Sequence, residues 1–179
     1  DGNLLRGLNN ILPTSIQIHQ LGRVPGDFSA RKSIQKQYSY YFQQGPCNIP
    51  HLKNYTMWNR RPLNGVKMNE AVTQLIGEHD FNAFCSSKAG VSTTVRRLYE
   101  AEVSREEITH PGLYLNETQY LWRLRLVGSG FLKKMVRGIA GTLKQIGEER
   151  RPPEDLLKIL QSENRSLVGR TAPSSGLWL

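Results

Sequence analysis

The run Phe28-Ser29-Ala30-Arg31-Lys32-Ser33-Ile34-Gln35-Lys36-Gln37-Tyr38-Ser39-Tyr40-Tyr41-Phe42 interleaves cations with aromatic rings. Arg31, Lys32 and Lys36 are candidates for holding phosphates, while Tyr38, Tyr40 and Phe42 fall on one face of a strand. This mixture suits an unstacked nucleobase and its backbone, because any base stacks on a ring while cations neutralise the phosphates. For Tyr40 and Phe42 the preferred reading is burial in the core.

A second cationic set lies between Ser129 and Gly147. Phe131, Leu132, Met135, Val136, Ile139, Leu143 and Ile146 recur at helical spacing, with Lys133, Arg137 and Lys144 on the other side. The spacing predicts a helix over 129–147, closed by Gly147 in the left-handed conformation. Two readings stand: a core helix with a solvated basic face, or a helix whose cationic side lines a cleft for phosphates or a carboxylate. Gly138 and Gly141 each cost about 1 kcal/mol relative to Ala inside a helix, so something is expected to approach the backbone there. His79 beside Asp80 is not expected to act as an acid–base pair, since sequence neighbours rarely face each other. His19 is expected at the surface. Cys47 and Cys85 form neither a CxxC pair nor a metal-ligand cluster, which favours reduced thiols in a cytosolic protein.

The net charge of +9 points to a polyanionic partner, since Lys and Arg on nucleic acid release condensed counterions. No apolar run reaches membrane-spanning length. Leu4 to Leu12 predicts a short amphipathic helix stopped by Pro13, and Ser15 to Val24 alternates as a half-buried strand. A long connection from 43 to 63 is expected to hold a short strand near Tyr55 to Trp58. Asn64 is the expected N-cap of a helix carrying Met68, Ala71, Val72, Leu75 and Ile76, closed by Gly77. Strands follow at Val95–Val103 and Tyr120–Val127, joined by a polar connection over 104–116. Pro152 and Pro153 open a further helix, and the chain ends in a turn entering a strand. From residue 55 the order is strand, helix, strand, strand, helix, helix, strand. That predicts an α+β fold, a ferredoxin-like antiparallel sheet with helices on one face. The expected division is 1–45 as the end of a preceding half and 46–179 as the ferredoxin-like half.

Four runs in order carry a family resemblance. They are Phe28-Ser29-Ala30-Arg31 with Lys36-Gln37-Tyr38-Ser39-Tyr40; Gly77-Glu78-His79-Asp80-Phe81-Asn82-Ala83-Phe84; Phe131-Leu132-Lys133-Lys134-Met135-Val136-Arg137-Gly138-Ile139-Ala140-Gly141; and Thr171-Ala172-Pro173 with Gly176-Leu177-Trp178-Leu179. In that order the chain resembles the TruA family of tRNA pseudouridine synthases. The resemblance implies isomerisation of uridine to pseudouridine in the tRNA anticodon stem-loop, without metal or organic cofactor. It implies tRNA as partner, a homodimer, no membrane association and a cytoplasmic location. By resemblance, Tyr38 stacks on the target base and helps move the C5 proton, Arg137 pairs with the catalytic carboxylate, and Leu177 packs beneath the base. Arg31, Lys32, Lys133 and Lys134 are candidates for backbone contacts on charge and position alone.

The chain departs from the family at the nucleophile. Members carry that aspartate in an Arg-Thr-Asp-Ala-Gly-Val-His run, whereas the four aspartates here are Asp1, Asp27, Asp80 and Asp155, none in such a context. The chain is therefore expected to be the C-terminal part of a longer enzyme, inactive alone. A helical wheel also puts Arg137 opposite the apolar face, so that it reaches a carboxylate only if another part of the site covers that side. The competing expectations are a non-catalytic module that holds structured RNA and, more weakly, a basic domain whose partner is protein.

Overall fold

The computed structural model describes residues 2–30, 33–86, 90–108 and 118–179. Two compact units divide the chain, Asp1–Ser33 and Ile34–Leu179. The tyrosine strand, expected at the end of a preceding half reaching to residue 45, thus belongs to the larger unit.

In the smaller unit, helix α1 (Gly2–Ile11) forms as its apolar spacing requires, yet none of its residues is buried. The strand expected over Ser15–Val24 does not form. Alternation only prepares a face, and a strand also needs an edge to pair with. The amide of Asn9 takes that place at one residue, accepting from the Ile18 N–H at 2.8 Å and donating to its carbonyl at 2.9 Å. His19 is exposed, as expected.

The larger unit is built on β1 (Lys36–Gln44), β2 (Met57–Asn59), α2 (Gly65–Thr73), β3 (Gly77–Asp80), β4 (Val95–Glu107), β5 (Tyr120–Gly128), α3 (Met135–Gly147), α4 (Asp155–Ser162) and β6 (Leu177–Trp178). Among the described residues the strands form one sheet in the order β2-β1-β5-β4-β3, with β6 also on β1. All pairings are antiparallel except β1 with β2. β2 and β6 share one edge of β1: β2 runs beside Phe42–Gln44 and β6 beside Ser39 and Tyr40. Tyr40, Phe42, Trp122, Leu124 and Leu126 turn toward the helices, where they meet Met68, Val72, Ile139, Leu143 and Leu160 in one core. The α+β sheet with helices on one face is the architecture expected from the element order.

Several boundaries differ from the expected ones. α2 is capped by the Asn64 side chain, which accepts from the Lys67 N–H, but it ends at Thr73 rather than at Gly77. Gly77, at φ 113°, instead opens β3. The sequence of β3, Gly-Glu-His-Asp, has no alternation to announce it, and pairing with β4 alone creates it. β4 runs on to Glu107, four residues past the expected Val103, because β5 supplies a partner for its charged end. α3 begins at Met135, six residues after Ser129. Phe131 and Leu132 match the helical spacing but sit in a preceding turn, and Lys134 at φ 63° sets the start of the helix. Gly147 is helical, and the left-handed residue is Glu149 at φ 58°. A Cβ on Gly147 would lie 2.6 Å from Met68 Sδ, so close packing against α2 calls for glycine here. Neither Cys47, exposed, nor Cys85, buried, forms a disulfide.

Candidate active site

The N-terminal end of α3 and the strands beneath it frame a cleft of about 400 Å³, lined by Tyr38, Phe131 to Arg137, and Leu177. Of the seven residues assigned by the resemblance or to backbone contacts beside it, it gathers Tyr38, Arg137, Leu177, Lys133 and Lys134, whereas Lys36, the further phosphate candidate, opens β1 outside this lining. The other two, Arg31 and Lys32, lie outside the described residues.

Each wall follows from local structure. Tyr38 sits on the helix-facing side of β1 opposite Leu126, two residues before the fully buried Tyr40. Its ring meets Phe131 edge-on, with centroids 4.9 Å apart. Phe131 was not singled out for the site; its place in the Phe-Leu-Lys-Lys run was the available signal. Displaced from the helix into the turn, it gives Tyr38 a fixed neighbour. The Lys133 carbonyl accepts from both the N–H (3.0 Å) and the hydroxyl (3.1 Å) of Ser86, which ties that turn down while the Lys133 and Lys134 side chains remain exposed.

Arg137 is half-buried in the first turn of α3. Its Nε donates to the Ala172 carbonyl at 2.7 Å, and the Ala172 N–H donates back to the Arg137 carbonyl at 3.0 Å. The side opposite the apolar face is thus covered by the chain's own Thr171–Pro173 segment. The remaining guanidinium donors have no partner among the described residues. The Tyr40 hydroxyl donates to the Pro173 carbonyl at 2.8 Å, so the same segment is also fixed to β1. Burial pushes the Tyr40 phenol above its ordinary range, and the Arg137 charge opposes part of that rise. After a tight turn at Ser174–Gly176, β6 pairs with β1 and Leu177 comes to line the cleft beside Tyr38.

Chemically, the cleft offers a ring to stack on, apolar walls, an arginine with free donors and two lysines at its mouth. It also lies at a helix N-terminus, where the dipole favours negative charge. Among the described residues, no carboxylate lines it. Asp80 accepts from the Asn82 N–H at 2.8 Å, and Asp155 lies 3.9 Å from Lys158, both outside the lining.

The model of a family described as tRNA pseudouridine synthase matches residues 71–179, more than half of the chain. The chain belongs to the tRNA pseudouridine synthase family. Curated relatives called tRNA pseudouridine synthase A agree with it over almost its whole length. The protein from Anoxybacillus flavithermus is 39% identical over 97% of this chain. Those from Lactococcus lactis subsp. lactis and Geobacillus kaustophilus are each 37% identical over 97% of it. The chain spans 66, 64 and 63% of the lengths of these three synthases, a little under two thirds. The matched region holds α3 and β6, with Arg137 and Leu177, while Tyr38 falls within the longer alignments.

Proposed function

We propose that the chain forms the base-binding wall of a tRNA pseudouridine synthase acting on the anticodon stem-loop, with its nucleophilic carboxylate supplied from outside the described residues. The observation that carries this reading is the meeting of Tyr38, Arg137 and Leu177 in one cleft from three separate elements. In the reaction, the bond between N1 of uracil and ribose C1′ breaks and a bond between C5 and C1′ forms. C5 loses its proton and N1 gains one, so the product is an isomer and needs no oxidant, metal or organic cofactor. Tyr38 stacks on the flipped base and relays the C5 proton. Arg137 keeps the carboxylate ionised and oriented through the donors that Ala172 leaves unspent. Leu177 supports the base from below, and Lys133 and Lys134, with Arg31 and Lys32, hold phosphates. The family's homodimer and cytoplasmic location go with this reading.

A second reading, a non-catalytic module for structured RNA, is favoured by the absence of a carboxylate among the described lining residues. One experiment separates the two: unmodified tRNA is assayed with the 179-residue chain and with a version extended through an aspartate-bearing run. Pseudouridine from the extended version alone is the expected result, because angstrom-scale misplacement of a reacting group costs about a hundredfold. Product from neither version would support the binding module, and product from the short chain would mean that the nucleophile has been misassigned.

A further inference from the structure

Arg96 is the sheet arginine whose side chain lies along Gly130, the residue before Phe131 of the cleft lining. It lies in β4 opposite His79 of β3, two residues from the buried Leu98 and so on the same, helix-bearing face. Its Nη1 donates to two carbonyls at the start of β4, Thr93 at 2.8 Å and Val95 at 2.6 Å. These bonds fold the side chain back and fix the guanidinium before any ligand arrives. A methyl placed on Gly130 would lie 3.6 Å from Arg96 Nε and 3.7 Å from its Cδ, so the side chain lies along that glycine. The next residue is Phe131, whose ring touches Tyr38 inside the cleft. A continuous path of contacts therefore leads from the stacking tyrosine to Arg96.

The charge of Arg96 is also unspent. Neighbouring Arg97 has Glu78 Oε2 at 4.0 Å, and Arg125 pairs with Glu100 and Glu102, but no carboxylate among the described residues pairs with Arg96. Bracing the loop uses one nitrogen and needs no positive charge. A guanidinium held by backbone carbonyls and left without a carboxylate partner is instead prepared for an anion, and its planar fork matches a phosphate.

We propose that Arg96 binds a backbone phosphate of the RNA strand adjoining the nucleotide held in the cleft. The proposal rests on the tRNA reading above. It assigns to β4 a contact that the family resemblance did not supply, and it extends the substrate path from the cleft across Gly130.

The test is titration of the full chain with tRNA at several salt concentrations, for the wild type, Arg96→Ala, Arg96→Gln and Arg97→Ala. Glutamine keeps the aliphatic stem that lies along Gly130 and ends in a neutral polar group, so Arg96→Gln removes the charge with less loss of packing than Arg96→Ala. Both Arg96 variants are expected to bind about tenfold more weakly, with a log–log salt slope shallower by about one unit. Arg97→Ala, whose side chain points to the opposite face of β4, is expected to change both less. If the wild type binds with a salt slope that Arg96→Gln leaves intact, the phosphate role is wrong while the tRNA reading stands. If the wild type shows no salt-dependent binding, the tRNA reading fails and this contact fails with it.

Discussion

Arg137 and Ala172 hold each other through two hydrogen bonds running in opposite directions, Nε to the Ala172 carbonyl at 2.7 Å and the Ala172 N–H to the Arg137 carbonyl at 3.0 Å. The residue proposed to meet the nucleophile is thus also a clamp on the segment that delivers Leu177. This double duty separates two effects of its replacement. In an aspartate-bearing, active version, Arg137→Ala should abolish turnover and also lower stability by about 1.5–3 kcal/mol, the scale of a charge-assisted hydrogen bond. Arg137→Lys should recover part of the stability and little of the turnover, since an ammonium has no planar fork. Urea melts beside single-turnover assays would check this, and near-normal turnover in either variant would remove Arg137 from the site.

Tyr38 is half-buried and fixed edge-on to Phe131, which separates the tasks of ring and hydroxyl. Tyr38→Phe should bind tRNA normally and isomerise slowly, while Tyr38→Ala should lose both, because base stacking on a ring is worth about 1–3 kcal/mol. Equal activity of all three proteins would make Tyr38 a packing residue only.

Gly138 and Gly141 of α3 should respond differently to alanine. A Cβ on Gly141 would collide with the backbone carbonyl of Arg170, which cannot move without releasing the Ala172 clamp. One on Gly138 would meet Phe84 Cδ1 at 3.3 Å, a side-chain contact that a small shift relieves. Gly141→Ala should therefore cost about 1–3 kcal/mol or more, whereas Gly138→Ala should lie near neutral as helix propensity offsets crowding. Thermal denaturation of both variants checks the contrast, and equal midpoints would contradict it.

Tyr40 should give the fold a sensitivity to alkali. Its phenol is raised above the ordinary 10.0 by burial, so folding favours the protonated form. The sign follows: this contribution is fully present below the unfolded-state value and fades as pH rises above it. Urea midpoints measured from about pH 8 to about pH 11 should fall more steeply at the alkaline end for the wild type than for Tyr40→Phe. At neutral pH the variant should lose about 1 kcal/mol, because the Pro173 carbonyl loses its donor. Parallel midpoint curves would show that the phenol does not titrate with folding.

What the sequence determined by itself was local. Alternation placed Tyr40, Phe42, Trp122 and Leu124 on the inner face of two strands, and Asn64 announced its helix through a short-range hydrogen bond. The glycines of α3 signalled close approach without naming what approached. Motifs in a fixed order marked Tyr38, Arg137 and Leu177 as partners, although 99 residues separate the first two (137 − 38). The tertiary structure decided whatever depends on a distant partner. The Ser15–Val24 alternation found no edge and stayed irregular, while polar Gly77–Asp80 became a strand because β4 lay beside it. Phe131 and Leu132 satisfied helical spacing from a turn, since apolar side chains reach a core from more than one backbone conformation. The same dependence on distant segments governs the site. Arg137 looked outward on a helical wheel, and only the return of Thr171–Pro173 across α3 encloses it in the cleft beside Tyr38.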